Sequence, residues 1–326
     1  MTEAAGPEAG PAQRPAERPA EPGPAGATRF APAPTGRLHL GHLANALYVW
    51  GLARRAGAEV ILRIEDHDRQ RCRPEYETAL LEDLDRLGLA AHRPSTDELR
   101  AGPSEYRQSD SGAAYEAAIA ALRARDLVYA CDCSRTTFEA WRAANGVPWI
   151  GAGCPGGCRE RGLDVDGVLA GAGPDGSAGL RAALGGGDEA WTDLLLGERA
   201  GPVAPSGDLL VRDRNGNWTY GLCVVVDDIR HGIDLVVRGE DLVESSPTQI
   251  RLGQLLGRPS SPAFAHHPLV RRPDGTKLSK AEGSMALGEL VDAGRSAAEL
   301  VGEAAFQVGL LPASRPIRFA EAIQLH

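Results

Sequence analysis

The segment Glu59-Val60-Ile61-Leu62-Arg63-Ile64 constrains the fold more than any other. A short, unbroken apolar run without alternation reads as a strand buried on both faces, and such strands occur in parallel sheets covered by helices. Helical runs flank it, His42 to Ala56 and Pro74 to Leu87, and Gly57 and Gly88 follow them where left-handed C-caps are favoured. An extended stretch at Arg29-Phe30-Ala31-Pro32, a helix over 111–125 and a strand over 127–130 continue the alternation, which predicts an α/β parallel sheet. From Cys131 to about Gly207 glycine and proline become frequent and the helical period breaks, so this stretch reads as an insertion between two halves of the sheet. The α/β pattern resumes at Leu209-Leu210-Val211, Leu222 to Val226 and Leu235-Val236-Val237, and a helix over 248–256 stops at Gly257. The expected divisions are a disordered tail over 1–28, rich in Ala, Pro, Gly and Glu, a first half of the α/β domain over 29–130, an insertion over 131–207, a second half over 208–284, and a short helical segment over 285–326.

The 326 residues suffice for a core that excludes water, and 43% hydrophobic with 24% charged residues is ordinary for a soluble protein. No apolar run is long enough for a membrane span and no secretory start is present, so a cytoplasmic location is expected. The formal net charge of −9 weighs against nucleic acid as a partner, although a local basic face can dock RNA on an acidic protein.

Three constellations carry chemistry. Thr35-Gly36-Arg37-Leu38-His39-Leu40-Gly41-His42 joins a strand to a helix, and a glycine-containing turn at a helix N-terminus directs N–H groups toward an anion such as phosphate. Read alone, it fits a capped helix with two surface histidines equally well. Asp274-Gly275-Thr276-Lys277-Leu278-Ser279-Lys280 offers two lysines that act as point charges for phosphates, or a solvated turn. Cys131-Asp132-Cys133 and Cys154-Pro155-Gly156-Gly157-Cys158 supply four thiols for a tetrahedral structural zinc site. Cys72 and Cys223 read as small unpaired side chains, His266 and His267 as packing residues, and Asp66 and Asp68 as caps of the following helix.

Together, His-x-Gly-His and Lys-x-Ser-Lys flanking an α/β pattern resemble the signatures of class I aminoacyl-tRNA synthetases. Arg29 to Gly36, Arg63-Ile64-Glu65-Asp66-His67-Asp68, Val225-Val226-Asp227-Asp228 and Val237-Arg238-Gly239-Glu240-Asp241-Leu242 are similar to blocks of the glutamate-specific branch, in order from about Arg29 to Ser284. The resemblance implies a Rossmann-like catalytic core with a zinc-containing insertion. It implies that His39, Gly41, His42 and Lys280, with Lys277, handle ATP and its accompanying Mg²⁺. It further implies an L-glutamate pocket from Arg29, Phe30, Ala31, Pro32, Ala33, Glu65, Tyr220 and Arg238, and zinc on Cys131, Cys133, Cys154 and Cys158. Ala33 departs from the family's usual serine.

About forty residues follow Ser284, too few for an anticodon-reading domain. In this the chain resembles the glutamyl-Q tRNA(Asp) synthetase family. That resemblance implies tRNA-independent activation of glutamate and its transfer to queuosine in the anticodon of tRNA(Asp), with neither membrane nor protein partner. Two further readings stay open: a short synthetase charging a tRNA 3′ end, and a non-catalytic RNA- or nucleotide-binding paralogue, against which the intact His39, His42 and Lys280 count.

Overall fold

The computed structural model describes residues 26–145, 154, 157–170, 178–205, 207–270 and 285–326. In chain order it forms β1 (Ala27–Phe30), α1 (Leu40–Ala56), β2 (Glu59–Leu62), α2 (Pro74–Leu87), α3 (Thr96–Arg100), α4 (Gly112–Arg123), β3 (Val128–Cys131) and α5 (Arg135–Asn145). Next come α6 (Gly157–Arg161), α7 (Val165–Leu169), β4 (Gly179–Ala182), β5 (Asp188–Asp193), β6 (Gly197–Pro202) and β7 (Leu209–Arg212). The chain continues through α8 (Tyr220–Arg230), β8 (Leu235–Gly239), α9 (Ser246–Leu255), β9 (Ala263–His267), α10 (Leu287–Asp292), α11 (Ala297–Gln307) and α12 (Phe319–Ala322).

A parallel layer carries the site. β1 pairs with β2 from Ala27 opposite Glu59 to Phe30 opposite Leu62, and β8 pairs with β9 from Leu235 opposite Ala263 to Gly239 opposite His267. β9 meets β5 in parallel at Phe264 opposite Asp193, with β6 antiparallel at the edge. The Asp234 N–H donates to Ala27 O at 3.1 Å, and the Asp234 carboxylate accepts from the Gly26 and Ala27 N–H groups at 2.9 and 3.0 Å. These bonds set β8 beside β1. The chain therefore leaves β1 toward β2 on one side and returns through β8 on the other. In open α/β sheets such a reversal opens a crevice at the carboxyl ends of the strands, where ligands bind.

α1 packs on this layer, wedged against β8 and α11. Its body from Leu43 to Ala53 is almost entirely buried, which suits its run of Leu, Ala and Val, and Gly57 closes it in the left-handed conformation.

Several expectations change. β1 begins at Ala27, inside the segment read as a tail, because Ala27 and Thr28 are buried by the Asp234 contacts. The expected strands over 127–130 and 209–211 do form, yet β3 and β7 join β4 in a separate antiparallel sheet. β5 and β6, within the stretch read as an insertion, instead extend the parallel layer. The glycine there marks a hairpin, Gly197 taking φ +77° at its turn. Leu222 to Val226 is helical, within α8: all seven residues from Leu222 to Asp228 are buried, and a helix buried all round shows the same continuous apolar run as a buried strand.

Candidate active site

Strand pairing builds the floor of the crevice. Beyond β1 and β2 the two segments stay hydrogen-bonded, Arg63 N–H to Phe30 O at 3.0 Å and Glu65 N–H to Pro32 O at 3.1 Å, while Arg73 N–H reaches Pro34 O at 3.0 Å. Phe30, Ala31, Pro32 and Ala33 thus form the wall beside Arg63 and Glu65, and the Ala33 carbonyl accepts from the Thr35 N–H at 2.8 Å in the turn that follows. Arg29 donates from Nε to Asp228 Oδ1 at 3.2 Å and from Nη1 to Val237 O at 3.1 Å. Arg63, wholly buried, donates to the same Asp228 oxygen at 2.7 Å and to Glu65 Oε1 at 2.9 Å. Burial alone would raise the Asp228 pKa, but the Arg29 and Arg63 guanidiniums outweigh it and hold the carboxyl below its ordinary range. Burial likewise disfavours the Arg63 cation, and Asp228, Glu65 and Asp227 overturn that, leaving it more firmly protonated than a free arginine.

Arg238, at the end of β8, is treated differently. Its side chain is 4% exposed. It donates to His266 Nε2 (3.0 Å), Gln249 Oε1 (2.6 Å), Leu242 O (3.1 Å) and Ser246 Oγ (2.9 Å), every one a neutral acceptor. Among the described residues no carboxylate lies within ion-pair distance of it. Burial therefore lowers its pKa, with Arg29 adding to the effect. A buried cation without a counter-ion is costly unless an anion arrives to pair with it. Tyr220, at the start of α8, has Arg238, Glu65, Arg29 and Asp228 as its electrostatic neighbours, and burial raises its phenol pKa. Arg29, Glu65 and Arg238 thus gather around Tyr220. In this cluster Arg238 has no carboxylate partner among the described residues, whereas the Glu65 carboxylate is paired with Arg63.

The two motif histidines stand at the N-terminus of α1, which follows β1 directly. His39 is the N-cap: its Nδ1 accepts from the Gly41 N–H at 3.1 Å, and His42 Nδ1 accepts in return from the His39 N–H at 3.1 Å. This is a capping box made of imidazoles. With both Nδ1 atoms accepting, a neutral ring carries its proton on Nε2, so each presents an N–H donor on its other edge. The glycine between them is required by contact: a Cβ on Gly41 would lie 2.9 Å from His39 Cε1 and 3.0 Å from Nδ1.

Lys277 and Lys280 lie outside the described residues, but both flanks of their segment are described. His267 Nε2 lies 3.3 Å from Asn45 Oδ1 on α1, and the Leu287 N–H donates to Leu38 O, just before His39, at 2.8 Å. His267 also stacks on Tyr48, ring centroids 4.9 Å apart. Asp66 and Asp68 serve the backbone, accepting from the Ser109 N–H (2.8 Å) and from the Gln70 and Arg71 N–H groups (3.1 and 3.2 Å). Sequence reasoning missed Asp228, Gln249, His266 and Asp193 as parts of the site. Asp228 stood within a quoted block, and the other three have no local pattern that marks them.

The cysteines converge away from the crevice. The Sγ atoms of Cys131, Cys133, Cys154 and Cys158 all lie within 4.8 Å of one another, with Cys133 3.9 Å from Cys154 and 3.2 Å from Cys158. A tetrahedral thiolate site with metal–sulfur bonds of about 2.3 Å has sulfurs roughly 3.8 Å apart, so the four fit a metal ion. Burial pushes the Cys131 thiol up, with Arg181 opposing, and burial together with the Cys158 sulfur pushes Cys133 up. Around the cluster Arg161 donates to Cys158 Sγ at 2.9 Å, and Arg214 to the Asp132 and Cys133 carbonyls at 2.9 and 2.6 Å. These cations suit a thiolate-rich centre. Between the two sheets a groove of about 540 Å³, lined in part by Arg181, Asp208 and Thr248, runs to Tyr220 and Gln249 beside Arg238.

Comparison with known proteins agrees with this geometry. The family described as tRNA synthetases class I (E and Q), catalytic domain, matches residues 27–302. A glutamyl-Q tRNA(Asp) synthetase from Symbiobacterium thermophilum is 40% identical over 302 residues, covering 90% of each chain. A glutamate–tRNA ligase from Oleidesulfovibrio alaskensis is 38% identical over 82% of this chain and 53% of its own. The crystal structure of a glutamate–tRNA ligase from Elizabethkingia meningosepticum in complex with its amino acid superposes with a TM-score of 0.72 at 26% identity, covering 92% of this chain and 64% of that one.

Proposed function

The chain belongs to the class I tRNA synthetases of the glutamate and glutamine group, and on that premise we propose that it activates L-glutamate with ATP, without tRNA, and passes the glutamyl group to queuosine of tRNA(Asp). Activation is attack of the glutamate α-carboxylate on the ATP α-phosphate, with pyrophosphate leaving. No side-chain nucleophile is needed, so catalysis rests on positioning and on charge stabilisation.

The observation that carries this reading is Arg238, a buried guanidinium held only by neutral acceptors. With Arg29 it is suited to two carboxylates, since the guanidinium fork matches that geometry. Glu65 and the Tyr220 hydroxyl receive the ammonium. His39 and His42 turn their Nε2–H edges toward the phosphates, and Gly41 keeps the helix end open to them. Lys277 and Lys280 follow the charge of the departing pyrophosphate, a role favoured by the anchoring of their flanks at Asn45 and Leu38. Mg²⁺ accompanies the nucleotide. The four cysteines hold one zinc, a closed structural site that orders the antiparallel sheet beside the acceptor groove. The acceptor is favoured by the relatives named glutamyl-Q tRNA(Asp) synthetase, matched over 90% and 87% of their lengths. With no membrane-length apolar helix among the described residues, a cytoplasmic site of action suits soluble substrates.

Glutamate-dependent ATP–pyrophosphate exchange in the absence of tRNA tests activation; no exchange would remove the reading. Mass analysis of the labelled nucleoside after nuclease digestion tests the acceptor. Label on the modified guanosine is expected, and label on the terminal adenosine would assign the protein to 3′-end charging.

A further inference from the structure

The Asp193–His266 pair lies behind the substrate crevice and touches none of its open surface. Asp193 ends β5 and His266 sits on the neighbouring β9, both wholly buried, at 0% and 1% exposure. His266 Nδ1 lies 2.5 Å from Asp193 Oδ2, and its Nε2 accepts the Arg238 Nε–H at 3.0 Å. A guanidinium has no lone pair, so Nε2 must be bare whichever way the Ser246 hydroxyl, 3.4 Å away, is turned. The ring is therefore neutral, with its one proton on Nδ1 donated to Asp193. Burial, reinforced by Arg238, lowers the His266 pKa and holds it in that state. Burial would raise the Asp193 pKa, but His266 and the Leu195 N–H overturn that and keep the carboxyl ionised. The opposite oxygen, Asp193 Oδ1, accepts from the Leu195 and Leu196 N–H groups, each at 3.0 Å.

We propose that His266, oriented by Asp193, is a positioning residue that fixes the plane of Arg238 while withholding a counter-charge from it, so that the guanidinium is aligned and still hungry for a substrate carboxylate. A carboxylate in place of the imidazole would orient Arg238 equally well and would also neutralise it. The neutral ring separates the two effects and keeps the Asp193 charge one side chain away. This inference rests on the reading of Arg238 as a carboxylate partner of glutamate.

Asp193→Asn is the discriminating variant, because it is nearly isosteric. The Leu195, Leu196 and His266 backbone N–H groups pin Oδ1, so the new amide nitrogen occupies the Oδ2 place and points its hydrogens at His266 Nδ1. The ring then moves its proton to Nε2, against the Arg238 N–H, much as a misassigned tautomer disables a catalytic triad. In glutamate-dependent pyrophosphate exchange, Asp193→Asn and His266→Phe should each raise the glutamate KM by at least about tenfold, the scale of one charge-assisted hydrogen bond, with the ATP KM unchanged. His266→Gln, which restores an acceptor carbonyl, should recover most of that loss. Thermal unfolding confirms that each variant is folded, and Asp193→Asn decides the matter if His266→Phe is not. An unchanged glutamate KM in folded Asp193→Asn, or an equal rise in the ATP KM, would overturn the proposal. Arg238→Met run alongside separates the two failures: if it too leaves the glutamate KM unchanged, the reading of Arg238 is at fault, and if it alone raises the KM, only the role of Asp193–His266 falls.

Discussion

Arg63 and Arg238 occupy matching places, each at the carboxyl end of a strand of the parallel layer and each buried. Arg63 bonds two carboxylates, Asp228 and Glu65, whereas Arg238 bonds an imidazole, an amide, a carbonyl and a hydroxyl. The same side chain in the same layer is ion-paired in one case and, among the described residues, without a carboxylate partner in the other. What distinguishes them is whether the fold itself supplies the counter-charge. Burial alone does not separate the two arginines; the presence or absence of a paired charge does.

The largest effect should come from removing the paired arginine. Arg63→Met leaves Asp228 and Glu65 buried beside too little positive charge, and losing one partner of a buried pair costs about 3–5 kcal/mol, which a denaturant or thermal melt would register. The pH profile sharpens the test. In the native protein Asp228 is held below its ordinary 3.8, so its contribution to stability is complete above that value and is lost as pH falls through the lower, folded value. In Arg63→Met the acid transition should move to higher pH. A melt and an acid limb like those of the parent would break the comparison from the structural side.

Arg238→Met should behave oppositely. Four neutral acceptors lose a donor, a modest cost, but glutamate loses its partner. We expect kcat/KM for glutamate to fall roughly a hundredfold, about 2.7 kcal/mol, with a much smaller change in melting temperature than Arg63→Met. Equal destabilisation by the two variants would mean that Arg238 is structural as well.

The cysteine cluster extends the comparison to a region whose charge, on the proposed reading, a metal ion would complete. Replacing Cys131 and Cys133 with Ser should release about one zinc per chain, measured by elemental analysis, and loosen the antiparallel sheet while the parallel layer keeps its melt, because metal binding and local folding are coupled. Absence of zinc from the untreated protein would refute the assignment. Survival of activation with loss of transfer would sharpen it, locating the sheet at the acceptor groove.

What could be read in the sequence divides along the same physical line. α1, α2 and α9 were legible because glycine stops and apolar periodicity act within a few residues, and β2 because its short unbroken apolar run lies between two such helices. The four cysteines and the His39–His42 turn were legible because chemistry and spacing coincide. The partners of Arg238 were not. His266 and Asp193 are 73 residues apart and meet only because β5 and β9 pair, so no local pattern announces them. The buried run from Leu222 to Val226 misled for a related reason. Burial on every side erases the periodicity that separates helix from strand, and only the packing of α8 against α4, α9 and β7 decides between them.

The smallest expected effect probes the histidine turn. Gly41 has an ordinary helical environment but no room for a Cβ, which would meet the His39 ring at 2.9 Å. In Gly41→Ala the ring must swing aside and surrender its cap on the Gly41 N–H, a loss of about 1 kcal/mol. Alanine regains a similar amount in helix propensity, about 0.8–1 kcal/mol. The melting temperature should therefore barely move. His39, however, loses the bond that fixes its proton on Nε2 and its edge toward the nucleotide, so the ATP KM should rise several-fold while the glutamate KM stays put. That pattern is the mirror image of the one expected from Asp193→Asn. If Gly41→Ala instead raised the glutamate KM, or left both constants unchanged, the division of the crevice into a phosphate side at α1 and a carboxylate side at β8 would be wrong.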